Sequence, residues 1–413
     1  MNFNNKLLQL NFYLLLIFPI TLVFSKLISE IILFLVIVLV FINFDFFKKK
    51  LKEKWVLIFL LFYFWLIITT TQQLNLENFL KSIFYVRFLF FSLGIVLILN
   101  TKKKFYLFLA SIFFTILFIQ IDILIQFFYG KDIFGYLTSN EVRHSGPFGK
   151  ELIAGGFMAK FFGICFFIFF LYLQIKKIQF YETILSLYLI SFLFIVFITG
   201  ERMAFLLSLL IVFLIFINET KIRKKIFYLF IIFSILTSIF ILNNEKYFNR
   251  YIKQNLIQTG FNYKDVDYKL SDSIYFRLWT TGFVFFKQKP IIGNGLKFYY
   301  NDCEYSEKYF KEIKLTNCTH PHNIYLDIIG ATGIIGLTLY ILFLYYLYKI
   351  AKSKILLREE INYALIFKGS FYCFLILMWP LKTSGAFFNN FNSLILYTVI
   401  GIFLTNLKIH QKI

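Results

Sequence analysis

Only four histidines occur in the 413 residues, and two of them, His320 and His322, stand two positions apart in CTHPHNIYLDIIGATGIIG, residues 318–336. Imidazole titrates near neutral pH, so this pair at the mouth of an apolar run is a candidate proton acceptor or donor. A structural histidine and a metal ligand are the plain alternatives, although no carboxylate cluster completes a ligand set around the His-x-His. Thr319 is a capping residue type and Pro321 suits a first helical position, so the pattern predicts a helix beginning at His322. Its free N–H groups and positive dipole end would face an anion. His322 and Asn323 would then border a cleft, with Gly330, Gly333 and Gly336 letting a neighbouring helix approach.

Guanidinium groups recur in comparable settings. In FVFITGERMAFLLSLL, residues 194–209, Glu201 and Arg202 are the only charges between Glu182 and Glu219. Ionisable groups at membrane level are costly and mark function by default. Interfacial snorkelling, with the two residues satisfying each other, is the plain reading. In SIYFRLWTTGFVFFKQKPIIGNGLKFYY, residues 273–300, Arg277 and Trp279 open an amphipathic run that stops at Pro290, before Gly293–Gly295. A GxG can cradle phosphate with its N–H groups, but a tight turn is the simpler role. Arg143, His144 and Lys150 sit together in EVRHSGPFGKELIAGG, residues 141–156, and read first as a surface charge run. Arg87, inside SIFYVRFLFFSLG, needs a partner. Asp265 and Asp267 form a DVD in a polar loop, too little for a metal site. His410 reads as solvated in a basic tail.

These groups need elements to hold them, and the composition says which. Hydrophobic residues make up 59% of the chain and charged residues 16%, with mean hydropathy +0.74. Soluble domains carry about a quarter charged residues. The chain reads as an all-α polytopic membrane protein. Its net charge of +21 does not indicate nucleic acid, because the lysines cluster between apolar runs, where they set topology. Residues 7–24 read as a first span without a small-residue cleavage site. Apolar runs of bilayer length fall near 7–25, 28–47, 55–71, 83–100, 105–128, 151–174, 180–199, 203–218, 226–242, 322–349, 361–380 and 391–408, about twelve transmembrane helices. With the N-terminus inside, the inside loops hold Lys48–Lys50, Lys102–Lys104, Lys176 and Lys177, Lys221 to Lys225, and Lys352 to Arg358. The expected organisation is nine helices over 1–242, an outer loop of short helices over 243–321, and three helices over 322–413. Cys165 and Cys373 are apolar filler within spans. Cys303 and Cys318 fall in the outer loop, where an oxidising compartment lets a disulfide persist and pin the strand leading to His320.

In order and topology these motifs resemble the O-antigen ligase family, which shares a region with O-antigen polymerases and some protein O-oligosaccharyltransferases. His322 and Asn323, nine residues, then Gly333 match the family's His–Asn pair and helix glycine. Arg202 matches its arginine after a short outer turn, and Arg277 the arginine before a GxG. Arg143, Gly146 and Phe148 match its R-x-x-G-x-F segment. Glu201 departs from the pattern, since the family more often has a small or hydroxyl residue there. The resemblance implies a GT-C-like, inverting, metal-independent glycosyltransferase without a cofactor, in the bacterial inner membrane. Its donor would be a glycan on undecaprenyl pyrophosphate and its acceptor a hydroxyl of lipid A–core, both met at the periplasmic face among membrane lipids. His322 would take the acceptor's proton, and Arg202 and Arg277 would grip the pyrophosphate. Arg143, His320 and Asn323 would bind substrate. A polymerase or protein transferase with the same chemistry, or a lipid-linked glycan transporter, are the alternatives.

Overall fold

A computed structural model describes residues 3–139, 142–262, 267–270, 273–301, 320–355, 361–383 and 385–409. In a bilayer core every backbone N–H and C=O must pair within the protein, which turns long apolar runs into helices. The helices are α1 (Phe3–Phe24), α2 (Lys26–Ile42), α3 (Phe44–Leu51), α4 (Lys54–Thr71), α5 (Leu76–Ile83), α6 (Arg87–Ile98), α7 (Lys102–Tyr129), α8 (Ala154–Ile175), α9 (Tyr181–Ile198), α10 (Arg202–Asn218) and α11 (Thr220–Asn243). After them come α12 (Glu245–Phe248), a π turn at Asn249–Lys253, α13 (Gln254–Thr259), α14 (Ile274–Gln288) and α15 (Phe298–Asn301). The chain ends with α16 (Ile324–Ile355), α17 (Ile361–Leu377) and α18 (Asn390–Ile409). Phe261–Asn262 and Asp267–Tyr268 form a minimal antiparallel pair.

Each of the twelve expected spans falls on a helix. Among the described residues, however, nine helices are long and apolar enough to cross a membrane, or ten if α2 and α3, bent by 87°, count as one span. The shorter apolar helices are Arg202–Asn218 and Ala364–Leu377. A 17-residue helix rises about 25 Å, less than a bilayer core of about 30 Å.

Phenylalanine fills much of the core. The Phe162 and Phe192 rings of α8 and α9 stack at 3.7 Å. Gly163 of α8 faces Gly369 of α17, where an added Cβ would lie 2.6 Å from the Gly369 carbonyl oxygen. The two backbones therefore meet directly.

The feature that shapes the site is a break in α16. Gly333 has φ 64° and ψ −169°, a conformation essentially confined to glycine. The break releases the carbonyls of residues 330–332, and other segments satisfy them. Asn294 N donates to Gly330 O at 2.9 Å and Gly295 N to Ala331 O at 2.8 Å. Trp65 Nε1 of α4 donates to Thr332 O at 2.8 Å. Beyond the break, Ile334 N donates to Pro290 O at 2.9 Å. Gly293 packs so closely that a Cβ would sit 2.4 Å from Gly333 N. The N–H groups of Asn294 and Gly295 thus serve the broken helix, and that of Gly293 donates to Lys289 O at 2.9 Å, so the turn's N–H groups are spent within the protein.

The start of α16 also differs from expectation. Asn323 Oδ1 accepts from Tyr325 N at 2.9 Å and Leu326 N at 3.2 Å, so Asn323 is the N-cap and the helix begins at Ile324. An asparagine side chain competes well for this position. His322, with φ +51°, stands outside the helix, and Thr319 lies outside the described residues.

Candidate functional site

Residues 199–201 connect α9 to α10 in a minimal turn. Gly200 takes φ +68°, and a Cβ there would lie 2.8 Å from Val142 O and 3.3 Å from Arg143 Cγ. The loop carrying Arg143 is therefore seated on this turn. Glu201 points the other way, into the N-terminus of α8. Its Oε1 accepts from Gly155 N at 2.7 Å and its Oε2 from Gly156 N at 3.0 Å. A Cβ on Gly155 would meet Thr199 Oγ1 at 2.5 Å, so this capping needs glycine. Burial raises the Glu201 carboxyl to about 7, outweighing the two N–H bonds and the Arg143 and Lys160 charges that favour ionisation.

With Glu201 committed to α8, three guanidinium groups gather around the turn. Arg202 donates to Asn255 Oδ1 at 3.3 Å and to Gln258 Oε1. Arg250 Nε donates to Gly200 O at 2.9 Å and its Nη1 to Gln254 Oε1 at 2.9 Å. Arg143 Nη2 donates to Leu152 O at 3.2 Å, while its Nε is buried without a hydrogen bond among the described residues. Burial, with repulsion from Arg143 and Arg202, lowers Arg250 to about 10. Burial also lowers Arg143, as does Arg202, against the pull of Glu201. Cations held this close, with no carboxylate in ion-pair contact among the described residues, suit a polyanion.

Arg277 stands in the first turn of α14. Ser273 Oγ donates to Gln258 O at 3.1 Å and Tyr275 OH to Gln258 Oε1 at 3.3 Å, so Gln258 ties the start of α14 to Arg202. Farther along α14, a Cβ on Gly282 would meet Pro321 Cβ at 2.9 Å. This contact seats the His-Pro-His segment, where the His320 and His322 rings lie 4.1 Å apart. Asn323 spends its side chain on the helix cap and on Pro380 O, reached by Nδ2 at 2.7 Å.

Two cavities open beside the histidines. The first, about 410 Å³, is lined by Lys160, Glu201, Met203, His320, Ile324 and Lys382 among others. The second, about 750 Å³, is lined by Tyr85, Arg87, Lys297, His320 and Asp327 among others. His320 borders both. His322 and the four arginines Arg143, Arg202, Arg250 and Arg277 border neither. Glu201 joins the two regions, since its backbone belongs to the arginine turn and its side chain to the first cavity. Arg87, lining the second, has its partner in Glu30 at 3.6 Å. Asp327 Oδ2 accepts from Phe387 N at 2.6 Å and fixes the segment between α17 and α18.

Other sequence candidates lie elsewhere. His144 is buried against Phe127, and desolvation lowers it to about 4, which keeps it neutral. Lys150 is exposed. Asp267 Oδ2 lies 3.7 Å from Lys269 Nζ. Asp265, His410, Cys303 and Cys318, with the proposed disulfide, lie outside the described residues. Cys165 and Cys373 are free and buried. No group of three or more His, Cys, Asp or Glu able to hold a metal occurs among the described residues.

Sequence reasoning missed Lys160, Arg250, Asp327 and Lys382. Lys160 did carry a signal, as the single charge in the apolar run AGGFMAKFFGICFF. Arg250 sits in a lysine-rich stretch where nothing in the sequence singles it out.

The family model described as O-antigen ligase matches residues 187–341. That stretch runs from α9 through the arginine turn and α14 to the break in α16. No curated protein matches the chain.

Proposed function

Since the chain belongs to the O-antigen ligase family, we propose that it is the ligase itself. It transfers a glycan from undecaprenyl pyrophosphate to a hydroxyl of lipid A–core. The lysine-rich loops support a cytoplasmic side for the opposite end of the bundle, and in this reading the reaction faces the periplasm from the inner membrane.

In this reading Arg143, Arg202 and Arg277 hold the donor pyrophosphate. The acceptor oxygen attacks the anomeric carbon from the face opposite the leaving group, which inverts its configuration. The anomeric C–O bond breaks, its electron pair passes to the pyrophosphate, and the guanidinium groups stabilise that charge. His322 takes the proton of the attacking hydroxyl, and His320 and Asn323 position the acceptor side. The reaction as drawn needs neither metal nor cofactor. The observation that supports the proposal is the cluster of guanidinium groups around the turn at 199–201, linked through Glu201, whose side chain turns into α8, to a cavity bordered by His320. Because His320, and not His322, borders both cavities, a second reading exchanges the roles of the two histidines.

The test gives purified protein undecaprenyl-pyrophosphate-linked glycan and lipid A–core in EDTA. The proposal expects glycan on the core. Longer glycans on the carrier would make the protein a polymerase, and transfer to protein would make it an oligosaccharyltransferase.

A further inference from the structure

The first cavity holds charges that the pyrophosphate reading does not use. Lys160 lies six residues into α8, about 9 Å from its start along the axis. It donates to Asn392 Oδ1 at 3.1 Å and lies 5.8 Å from the centre of the Phe391 ring. Lys382 is 7% exposed and donates to Leu377 O. Neither ammonium has a carboxylate within 4.0 Å among the described residues.

The acids lining this cavity are already engaged. Glu151 pairs with Lys26 at 2.5 Å, and Glu201 caps α8. Desolvation lowers Lys382 to about 7, with Lys160 adding repulsion. A buried charge without a counter-ion is strongly unfavourable, and a lysine inside a span is costly in the same way. Buried Lys382 and half-buried Lys160, the latter with only the α8-capping Glu201 carboxylate acting on it from beyond ion-pair distance, thus face one cavity as two cations without a contacting acid among the described residues.

We propose that Lys160 and Lys382 form an anion subsite in the first cavity, separate from the arginine cluster, for a phosphoryl group carried by one of the two lipid-borne substrates. The identity of the substrates rests on the transfer reading above; the anion subsite does not. Lysine, a compact point charge with three donors, suits a phosphoryl group here, since each ammonium makes one protein hydrogen bond among the described residues.

The test measures equilibrium binding of radiolabelled inorganic phosphate to the full-length protein in a phosphate-free, non-ionic detergent. The wild type should bind two phosphates, one at the arginines and one at the lysines, and the double variant K160Q/K382Q should bind one. If the arginine reading fails, the same comparison runs from one to none, so the two failures are distinguishable. Each single Lys→Gln change should weaken the lysine-dependent site about tenfold, and K382R should retain it. K382M should melt higher than wild type while losing phosphate, because removing an uncompensated buried charge relieves its cost. A purely structural lysine would give a lower melting point. Displacement of the lysine-dependent phosphate by lipid A–core assigns it to the acceptor, and displacement by undecaprenyl pyrophosphate assigns it to the donor. A double variant with the wild-type phosphate stoichiometry overturns the proposal, and so does failure of both lipids to displace the phosphate.

Discussion

Replacing Gly333 with alanine tests how the broken helix holds the site together. At φ 64° and ψ −169° an alanine is strained by about 1–3 kcal/mol. Its Cβ would also fall 2.2 Å from Ile291 O, and backbone cannot rotate aside as a side chain can. The chain relieves this by closing the helix or by pushing the 290–296 segment away. Closing the helix costs Asn294 N, Gly295 N and Trp65 Nε1 their carbonyl partners, and moving the segment breaks the first two bonds and that of Ile334 N to Pro290 O, at about 1 kcal/mol each. The expected destabilisation is therefore about 3 kcal/mol, read as a fall of several degrees in the melting temperature of the detergent-solubilised protein. Trp65→Phe, which removes one of these bonds, should cost about a third as much. Asn294 Nδ2 also holds Phe285 O at 2.7 Å, so displacing the segment shifts α14 and Arg277, and transfer should fall with stability. A Gly333→Ala protein with wild-type melting and wild-type transfer would show that neither the break nor its hydrogen bonds support the site.

Further tests reach the charged groups. Glu201 has its carboxyl raised from 4.5 to about 7, so the folded protein holds that proton more tightly than the unfolded chain. Its contribution is complete below pH 4.5 and is lost as pH rises towards 7, a loss of about 3 kcal/mol. Glu201→Gln should remove that slope from melting curves recorded across the window, and parallel curves for the two proteins would refute it. Arg277→Lys should lower transfer about a hundredfold while the protein still inserts and purifies as wild type does; unchanged turnover would remove Arg277 from the site. If Cys303 and Cys318 are bridged, thiol reagents applied to unreduced protein should label neither, and modification of either one would refute the bridge.

Much of this was legible in the sequence because membrane burial leaves strong patterns. The apolar runs located the helices, and the only charges between α9 and the end of α10 pointed to the turn at 199–201. Local capping was less legible. Thr319, Pro321 and Asn323 all suit a helix start, and only the folded backbone shows Asn323 capping it. Gly333 could be recognised by its spacing from His322, but its role depends on Ile291, Asn294 and Trp65, far away in the chain. Glu201 looked out of place beside Arg202 because its partners, Gly155 and Gly156, belong to another helix. Lys382 resembled an ordinary loop lysine, and only the packing of its loop against α8 and α16 makes it buried.

The most direct measurement is transfer by the purified protein in EDTA, with His322→Ala and His320→Ala assayed beside wild type and donor binding measured on all three. The account predicts that the His322→Ala protein binds donor normally and transfers nothing, while the His320→Ala protein transfers with a raised KM for the acceptor. Transfer at the wild-type rate by both variants would contradict it.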